Sequence, residues 1–183
     1  LASLSLAVGV AALRALRACG AEGVNLKWPN DLLAGDRKLG GILCELRAEA
    51  AGPAYVVVGL GLNVALPAAA RARIAAASRA AGGLDPASLA VRAPAPSRSR
   101  LAAALLDALT AMVEEFEVRG FAPFHDEWSR ADALAGRAVR VLAQRAERAG
   151  VARGIAPDGA LLVEIDGRAE RVTSGEVSLR IAA

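Results

Sequence analysis

The chain has 183 residues, with 22 Lys plus Arg against 19 Asp plus Glu and a net charge of +3. That is enough sequence for one domain, or for one domain with a small appendage. The mild charge is not gathered into a stripe, so it speaks against a nucleic-acid surface in this segment and only faintly for an anionic ligand. Hydrophobic residues make up 55% but aromatics only 3%, so the core has to be built mainly from Leu, Val, Ile and Ala.

The opening stretch, Leu1 to Leu16, is apolar but has no basic segment ahead of it, since Arg14 and Arg17 follow the run. It therefore does not read as a signal peptide, and it is too short to span a membrane. Leu4, Val8 and Ala11 with Leu6, Val10 and Leu13 predict a helix ending near Gly20. The chain does not begin with Met, and the expectation is a piece of a longer protein that starts inside a buried helix.

Val24 to Lys27 predicts a short strand that stops before Pro29, because proline donates no ladder hydrogen bond. Ala34-Gly35-Asp36-Arg37 is a turn, Lys38 to Arg47 a strand, and Gly52-Pro53 a second turn. Tyr55 to Val58 is a β-branched run of the kind found in a central strand, and it leads into Gly59-Leu60-Gly61-Leu62-Asn63. Ala68 to Ala81 predicts an Ala-rich helix, and Asp85 to Ser99, with three prolines, a mobile connection. Leu101, Leu105, Leu109, Met112 and Phe116 with Leu106 and Val113 define an amphipathic helix. Gly120 to Ala131 is a shorter helix with Phe121, Phe124 and Trp128 on one face.

From Gly136 the pattern changes to short strands. Val139 and Val141 alternate with polar residues, and Val151–Ile155 and Leu161–Ile165 flank the turn Pro157-Asp158-Gly159. Asp166-Gly167 is another turn, followed by Val172 and by Val177 to Ile181. Such spacing predicts a small β-barrel, with a domain boundary near Leu134. Cys19 and Cys44 are too few for a disulfide framework, and one histidine gives no zinc pattern. Two buried thiols in a reducing cytosol are expected, and His125 reads as an ordinary helix residue.

The candidate chemistry lies in Lys27-Trp28-Pro29-Asn30-Asp31 and Lys38-Leu39-Gly40-Gly41-Ile42-Leu43. Lys38 stands between a turn and an apolar strand, where paired glycines permit close backbone approach. There it can meet a phosphoryl oxygen as a point charge. At roughly 4 Å and an effective dielectric near 20, such a contact is worth about 4 kcal/mol before desolvation. The alternative is a solvated surface lysine. Asp31 reads either as a turn aspartate accepting backbone N–H bonds or as a carboxylate that steers an amine or holds Mg2+. Gly59-Leu60-Gly61-Leu62-Asn63 lacks the third glycine of a dinucleotide loop, since Val64 follows, so that match is weak. Small residues there would let a ligand lie on the strand backbone, with Asn63 offering an amide.

Taken in order and spacing, these three motifs resemble those of the biotin protein ligases. The tail agrees: Arg153-Gly154-Ile155, Asp158-Gly159-Ala160-Leu161-Leu162 and Gly175-Glu176-Val177-Ser178-Leu179-Arg180 resemble that family's small C-terminal barrel. The resemblance implies an α/β (α+β) fold: a mixed sheet with packed helices over residues 1–133, lacking its N-terminal part, then an SH3-like barrel over residues 134–183. It implies ATP-dependent biotinylation of a carrier-domain lysine on a carboxylase, through biotinyl-5'-AMP, with ATP and Mg2+ required. Lys38 and Asp31 would be catalytic, and Gly41, Gly59 and Leu62 would line the biotin pocket. Lys27, Asn30, Asn63 and Arg180 would serve the nucleotide. The implied partners are biotin, the biotin carboxyl-carrier domain and a second copy of the chain, in the cytoplasm and without a membrane.

The family's Gly-Arg-rich ligand loop does not occur in these 183 residues, and this polypeptide alone is expected not to make the adenylate. The rival readings are a non-catalytic remnant or binding module, and a lipoate-ligase-like adenylating enzyme. The Trp-Pro-Asn-Asp corner and the barrel pattern favour the biotin enzymes over the latter.

Overall fold

The structure, a computed structural model, describes residues 2–47, 55–89, 96–143, 146–173 and 177–181. It opens with helix α1 (Ala2–Ala18). Leu6, Val10, Leu13 and Leu16 are buried, and so are Ala7, Ala11, Ala12 and Ala15 between them. The middle turns of the helix, residues 6–13, are apolar on every side and have to be covered on every side. The sheet covers one flank and two later helices the other, while Arg14 and Arg17 reach solvent.

Four antiparallel strands follow in the order β1 (Val24–Lys27), β2 (Asp31–Ala34), β3 (Arg37–Arg47) and β4 (Tyr55–Leu62). Strand β2 was not foreseen. Asp31 opens a strand instead of sitting in a turn, because the corner at Trp28–Asn30 is short enough for Lys27 to pair with Asp31 directly. Asn30 pins that corner: its Nδ2 donates to the Ile42 carbonyl at 2.7 Å, and Ile42 N donates back to Asn30 O at 2.8 Å. The Trp28–Pro29 peptide is cis.

The run at Tyr55 to Val58 also departs from expectation. In the described sheet β4 is last in order, and Tyr55 and Val57 are 60% and 44% exposed. β-Branched residues report that a segment fits a pleated sheet, not its place within it.

Helix α2 (Ala68–Ala80) falls where expected. The start of the stretch predicted to be mobile does not. Lys38 N donates to Asp85 O, Ala87 N to Lys38 O and Leu89 N to Asn63 O, each at 2.8 Å, and residues 87–89 are buried. Backbone pairing to the sheet overrides the proline-rich composition there, and residues 90–95 lie outside the described ones, as does Gly52-Pro53. Ser97 caps α3 (Arg98–Arg119) by accepting from Arg100 N. Helix α4 (Ala122–Arg130) buries Phe124 and Trp128, with Phe121 just ahead of it. Glu127 on α4 receives Arg14 and Arg17 of α1 at 2.8 and 2.9 Å.

The last part comprises β5 (Ala138–Ala143), β6 (Ala146–Ile155), β7 (Leu161–Ile165), β8 (Arg168–Val172) and β9 (Val177–Ile181). They form an antiparallel sheet in the order β8-β7-β6-β5-β9. The β7–β8 turn puts Asp166 and Gly167 at φ 51° and 74°, the two positive values a tight hairpin of this twist requires. Val139, Ala152, Leu161, Val163 and Ile165 pack inward and join the same hydrophobic cluster as the helices.

The α/β class with helices on a sheet, then a small β-domain, is thus what folds. All named strands pair antiparallel, and the parallel pairing lies in two bridges, Leu26 to Asp132 and Lys38 to Pro86. Cys19 and Cys44 are free but only half-buried, not buried as expected. Burial is still enough to push the Cys44 thiol pKa up. Among the described residues no helix is long and apolar enough to cross a membrane.

Candidate functional site

Strand register brings the two sequence motifs together. Lys27 pairs with Asp31, Asp31 with Gly41, and Gly41 with Gly61. Directly opposed residues share a face, so these four form one row across four strands. The next row, Leu26, Leu32, Gly40 and Leu62, faces the other way, with Leu26 and Leu32 buried on the α1 side. The sheet therefore has an apolar face and a face that carries charge at one end and bare backbone at the other.

The chain's two lysines both converge on this row. Lys38 Nζ lies 2.6 Å from Asp31 Oδ1, and Lys27 Nζ lies 3.5 Å from Asp31 Oδ2. Their exposures differ in a way that assigns different work. The Lys38 side chain is 46% exposed, whereas that of Lys27 is 8% exposed and that of Asp31 15%. A buried ammonium needs a compensating partner, and Asp31 is one. Among the described ion pairs here, two cations share the Asp31 carboxylate, and of the two Lys38 carries its charge into the open. A β-bulge between Leu32 and Leu33 shifts the register at β3's start, and Lys38 folds back over Gly41. A Cβ on Gly41 would lie 3.5 Å from Lys38 Cε and Nζ.

Gly41 and Gly61 thus form a floor without side chains beside the ammonium. A flat ligand can rest on that backbone with an anionic end at Lys38. An open pocket of about 570 Å³ runs from here, a size suited to a small molecule. Gly40, Gly41 and Gly61 line it on the sheet side, with Ile74, Leu84 and Pro86 opposite.

Of the residues singled out in the sequence, Lys27, Asp31, Lys38 and Gly41 meet in one place. Leu62 and Asn63 border the pocket, although Leu62 belongs to the opposite row. Asn63 is half-buried, and its Nδ2 stands 3.5 Å from Lys38 O. Gly59 pairs with Leu43 further along β4 and is not part of the pocket wall. Asn30 donates one N–H of its amide to Ile42 O, which fixes the shape of the corner and leaves its second N–H and its Oδ1 for other partners. Arg180 pairs with Arg140 at the sheet edge through its backbone, and its side chain lies outside the described residues.

The wall from α2 and residues 84–86 was missed. Ile74, Ser78, Leu84 and Pro86 carry no local signature, since tertiary pairing alone brings Pro86 beside Lys38. Arg37 supports that wall by donating to Pro86 O at 2.7 Å. Among the described residues no group of three or more His, Cys, Asp or Glu gathers in metal-binding fashion.

In fold, a helix-backed antiparallel sheet followed by a small β-domain, the chain is similar to solved biotin protein ligases. Residues 1–63 match the Biotin/lipoate A/B protein ligase family, and residues 135–180 match the Biotin protein ligase C terminal domain. With both matches in one chain and in this order, the protein belongs to the biotin protein ligase family. It is 38% identical over 179 residues to the bifunctional ligase/repressor BirA of Escherichia coli (strain K12), covering 98% of this chain and 53% of that protein. It is 34% identical over 180 residues to the biotin--[acetyl-CoA-carboxylase] ligase of Mycobacterium tuberculosis, covering 95% and 61%. The chain therefore spans roughly half to three-fifths of these relatives. In fold it is similar to the biotin protein ligase from Aquifex aeolicus in complex with biotin and ATP, with a TM-score of 0.80 at 23% identity over 100% of this chain and 72% of that one.

Proposed function

We propose that this chain carries the lysine-bearing half of a site for ATP-dependent biotinylation of a carboxylase carrier domain, through biotinyl-5'-AMP. The observation that carries the reading is Lys38 Nζ, held by Asp31 at 2.6 Å above a glycine floor at an open pocket. The boundary between ligase domain and β-domain falls near Leu134.

In the first step an oxygen of the biotin carboxylate attacks the α-phosphorus of ATP and pyrophosphate leaves. Two anions must approach each other, and an ammonium fixed in advance lowers that cost without reorganising. Lys38 fits this role because it is half-exposed, and Lys27 adds field from within the sheet. Gly41 and Leu62 accommodate biotin in the pocket, and Gly59, outside its wall and two residues along β4 from Gly61, leaves room beside it. Asn30, Asn63 and Arg180 serve the nucleotide side. Mg2+ accompanies ATP and offsets phosphate charge. Asp31 is the carboxylate of this site that would help to hold it, with phosphate oxygens and water as most of its ligands.

In the second step a neutral lysine amine of the carrier attacks the acyl carbon and AMP leaves. Asp31 would accept a hydrogen bond from that amine, whose surplus proton leaves to solvent as the amide forms, so orientation supplies much of the rate. The cytoplasm suits two free thiols, and the exposed β4 suits pairing with a second copy.

Residues 1–183 alone, without a Gly-Arg-rich loop, are expected not to form the adenylate. The test is isotope exchange between pyrophosphate and ATP, made on residues 1–183 and on the product of the full reading frame. Exchange that requires biotin and is not supported by lipoate, in the full product only, is the expected result. Exchange driven by lipoate favours a lipoate-type enzyme, and none with either acid in the full product removes the reading.

A further inference from the structure

The charged row of the site sits on a hairpin that the small β-domain holds at two separate places. At one end, Trp28 follows Lys27 directly. Its ring is fully buried, and its Nε1–H donates to the carbonyl of Gly159 at 3.0 Å. Gly159 belongs to the β6–β7 turn, at φ 88°, and packs so closely on α1 that a Cβ there would stand 3.0 Å from Leu6 Cδ1 and 3.2 Å from Ser3 Cα. The acceptor carbonyl is thus fixed from behind. At the other end, Asp36 lies in the β2–β3 turn two residues before Lys38, and Arg137 at the start of the β-domain pairs with it at 2.5 Å. That contact holds the Asp36 carboxyl below its usual pKa, through the hydrogen bond and the charge of Arg137.

We infer that Trp28 and the Asp36–Arg137 pair are positioning residues, through which the C-terminal β-domain sets the spacing of Lys27, Asp31 and Lys38. Trp28 is flanked by Lys27 and by the corner that leads to Asp31, so any movement of the indole is transmitted to both. The turn at Gly35–Asp36 does the same for the start of β3. Neither Trp28 nor Arg137 is a pocket wall, and each acts through the residues beside it. The consequence for the rate rests on the biotinylation reading, whereas the mechanical coupling does not.

The test uses the full reading-frame product with Trp28→Phe and Arg137→Ala, and Val163→Ala as a control. Val163 is fully buried in the β-domain and belongs to neither anchor contact, so its truncation destabilises that domain while leaving both pairs of anchor atoms in place. Two readouts are taken well below each variant's melting temperature. The first is biotin-dependent exchange: kcat should fall by about tenfold for Trp28→Phe and roughly threefold for Arg137→Ala, with KM for ATP and biotin little changed. The second is backbone hydrogen exchange, which should quicken about tenfold over residues 26–38 in Trp28→Phe but not in Val163→Ala. Arg137→Ala removes only a partly exposed ion pair, so it keeps the test alive if Trp28→Phe fails to fold. Unchanged exchange over 26–38 in both anchor variants, or an equal kcat loss in Val163→Ala, would overturn the inference. A wild-type protein inactive with biotin would overturn the functional reading alone, since the hydrogen-exchange comparison still decides the coupling.

Discussion

Gly40 and Gly41 are adjacent in sequence yet answer to different physics, and alanine at each should separate them. A Cβ on Gly40 would overlap the backbone carbonyl oxygen of Gly61 and touch Leu62 Cδ1 at 3.3 Å. A backbone oxygen cannot rotate away, so β4 would have to move off β3 by about an ångström to restore ordinary contact. Overpacking of this kind costs about 3 kcal/mol, and the lower chain entropy of alanine returns about 0.5–1 kcal/mol of it. The net loss is about 2 kcal/mol, or a fall in Tm of roughly 4–8 °C for a chain of this length. On Gly41 the new methyl would meet Lys38 Cε and Nζ at 3.5 Å and Asp31 Oδ1 at 3.6 Å. These are ordinary contacts with side chains, so Tm should hold within about 2 °C. The methyl nonetheless stands on the ligand floor, and KM for biotin should rise at least about tenfold. Calorimetry and steady-state exchange measure the two effects. Equal Tm values for Gly40→Ala and Gly41→Ala would refute the assignment of Gly40 to strand contact.

Three further outcomes follow from other parts of the molecule. Asp31→Asn removes the carboxylate from the largely buried Lys27 ammonium and from Lys38, so denaturant titration should show a loss of about 2–3 kcal/mol and exchange should be lost with it. Asp132 is raised from 3.8 to about 6, chiefly by burial, against hydrogen bonds from the Leu134 and Ala135 backbones that lower it. The folded state then binds more protons than the unfolded one between these values, so this group's stabilisation is full below about pH 4 and declines as pH rises through 6. Asp132→Asn should flatten that limb and gain about 2 kcal/mol at pH 7 relative to wild type, and a urea series from pH 4 to 7.5 measures it. Ser97→Ala removes the acceptor for Arg100 N at the start of α3, and the helix cap's loss should cost about 1 kcal/mol in the same titration.

Much of the fold was legible because the relevant physics is local. The largely apolar helix at Ala2–Ala18, the Phe121-Phe124-Trp128 face and the Asp166-Gly167 turn each follow from periodicity or turn chemistry. What failed was tertiary in origin. Strand β2 was hidden because Asp31 and Leu32 look like the end of a corner until Asn30 is seen bonded to Ile42. The segment at 85–89 looked mobile because its order comes from pairing with Lys38 and Asn63. At the site, Lys27, Asp31, Lys38 and Gly41 could be named from their motifs, but their convergence is a product of register. Gly61, opposite Gly41, and the wall of Ile74, Leu84 and Pro86 needed the sheet to be built first.

The cationic side chain over the glycine floor is tested most directly by pyrophosphate exchange in the Lys38→Ala protein, made from the full reading frame and compared with wild type. With Asp31, Gly41 and Gly61 in place, loss of the ammonium should cut the biotin-dependent rate by at least about a hundredfold, with the fold unchanged by circular dichroism. Exchange within about twofold of wild type would contradict the assignment of Lys38 to the reacting phosphate.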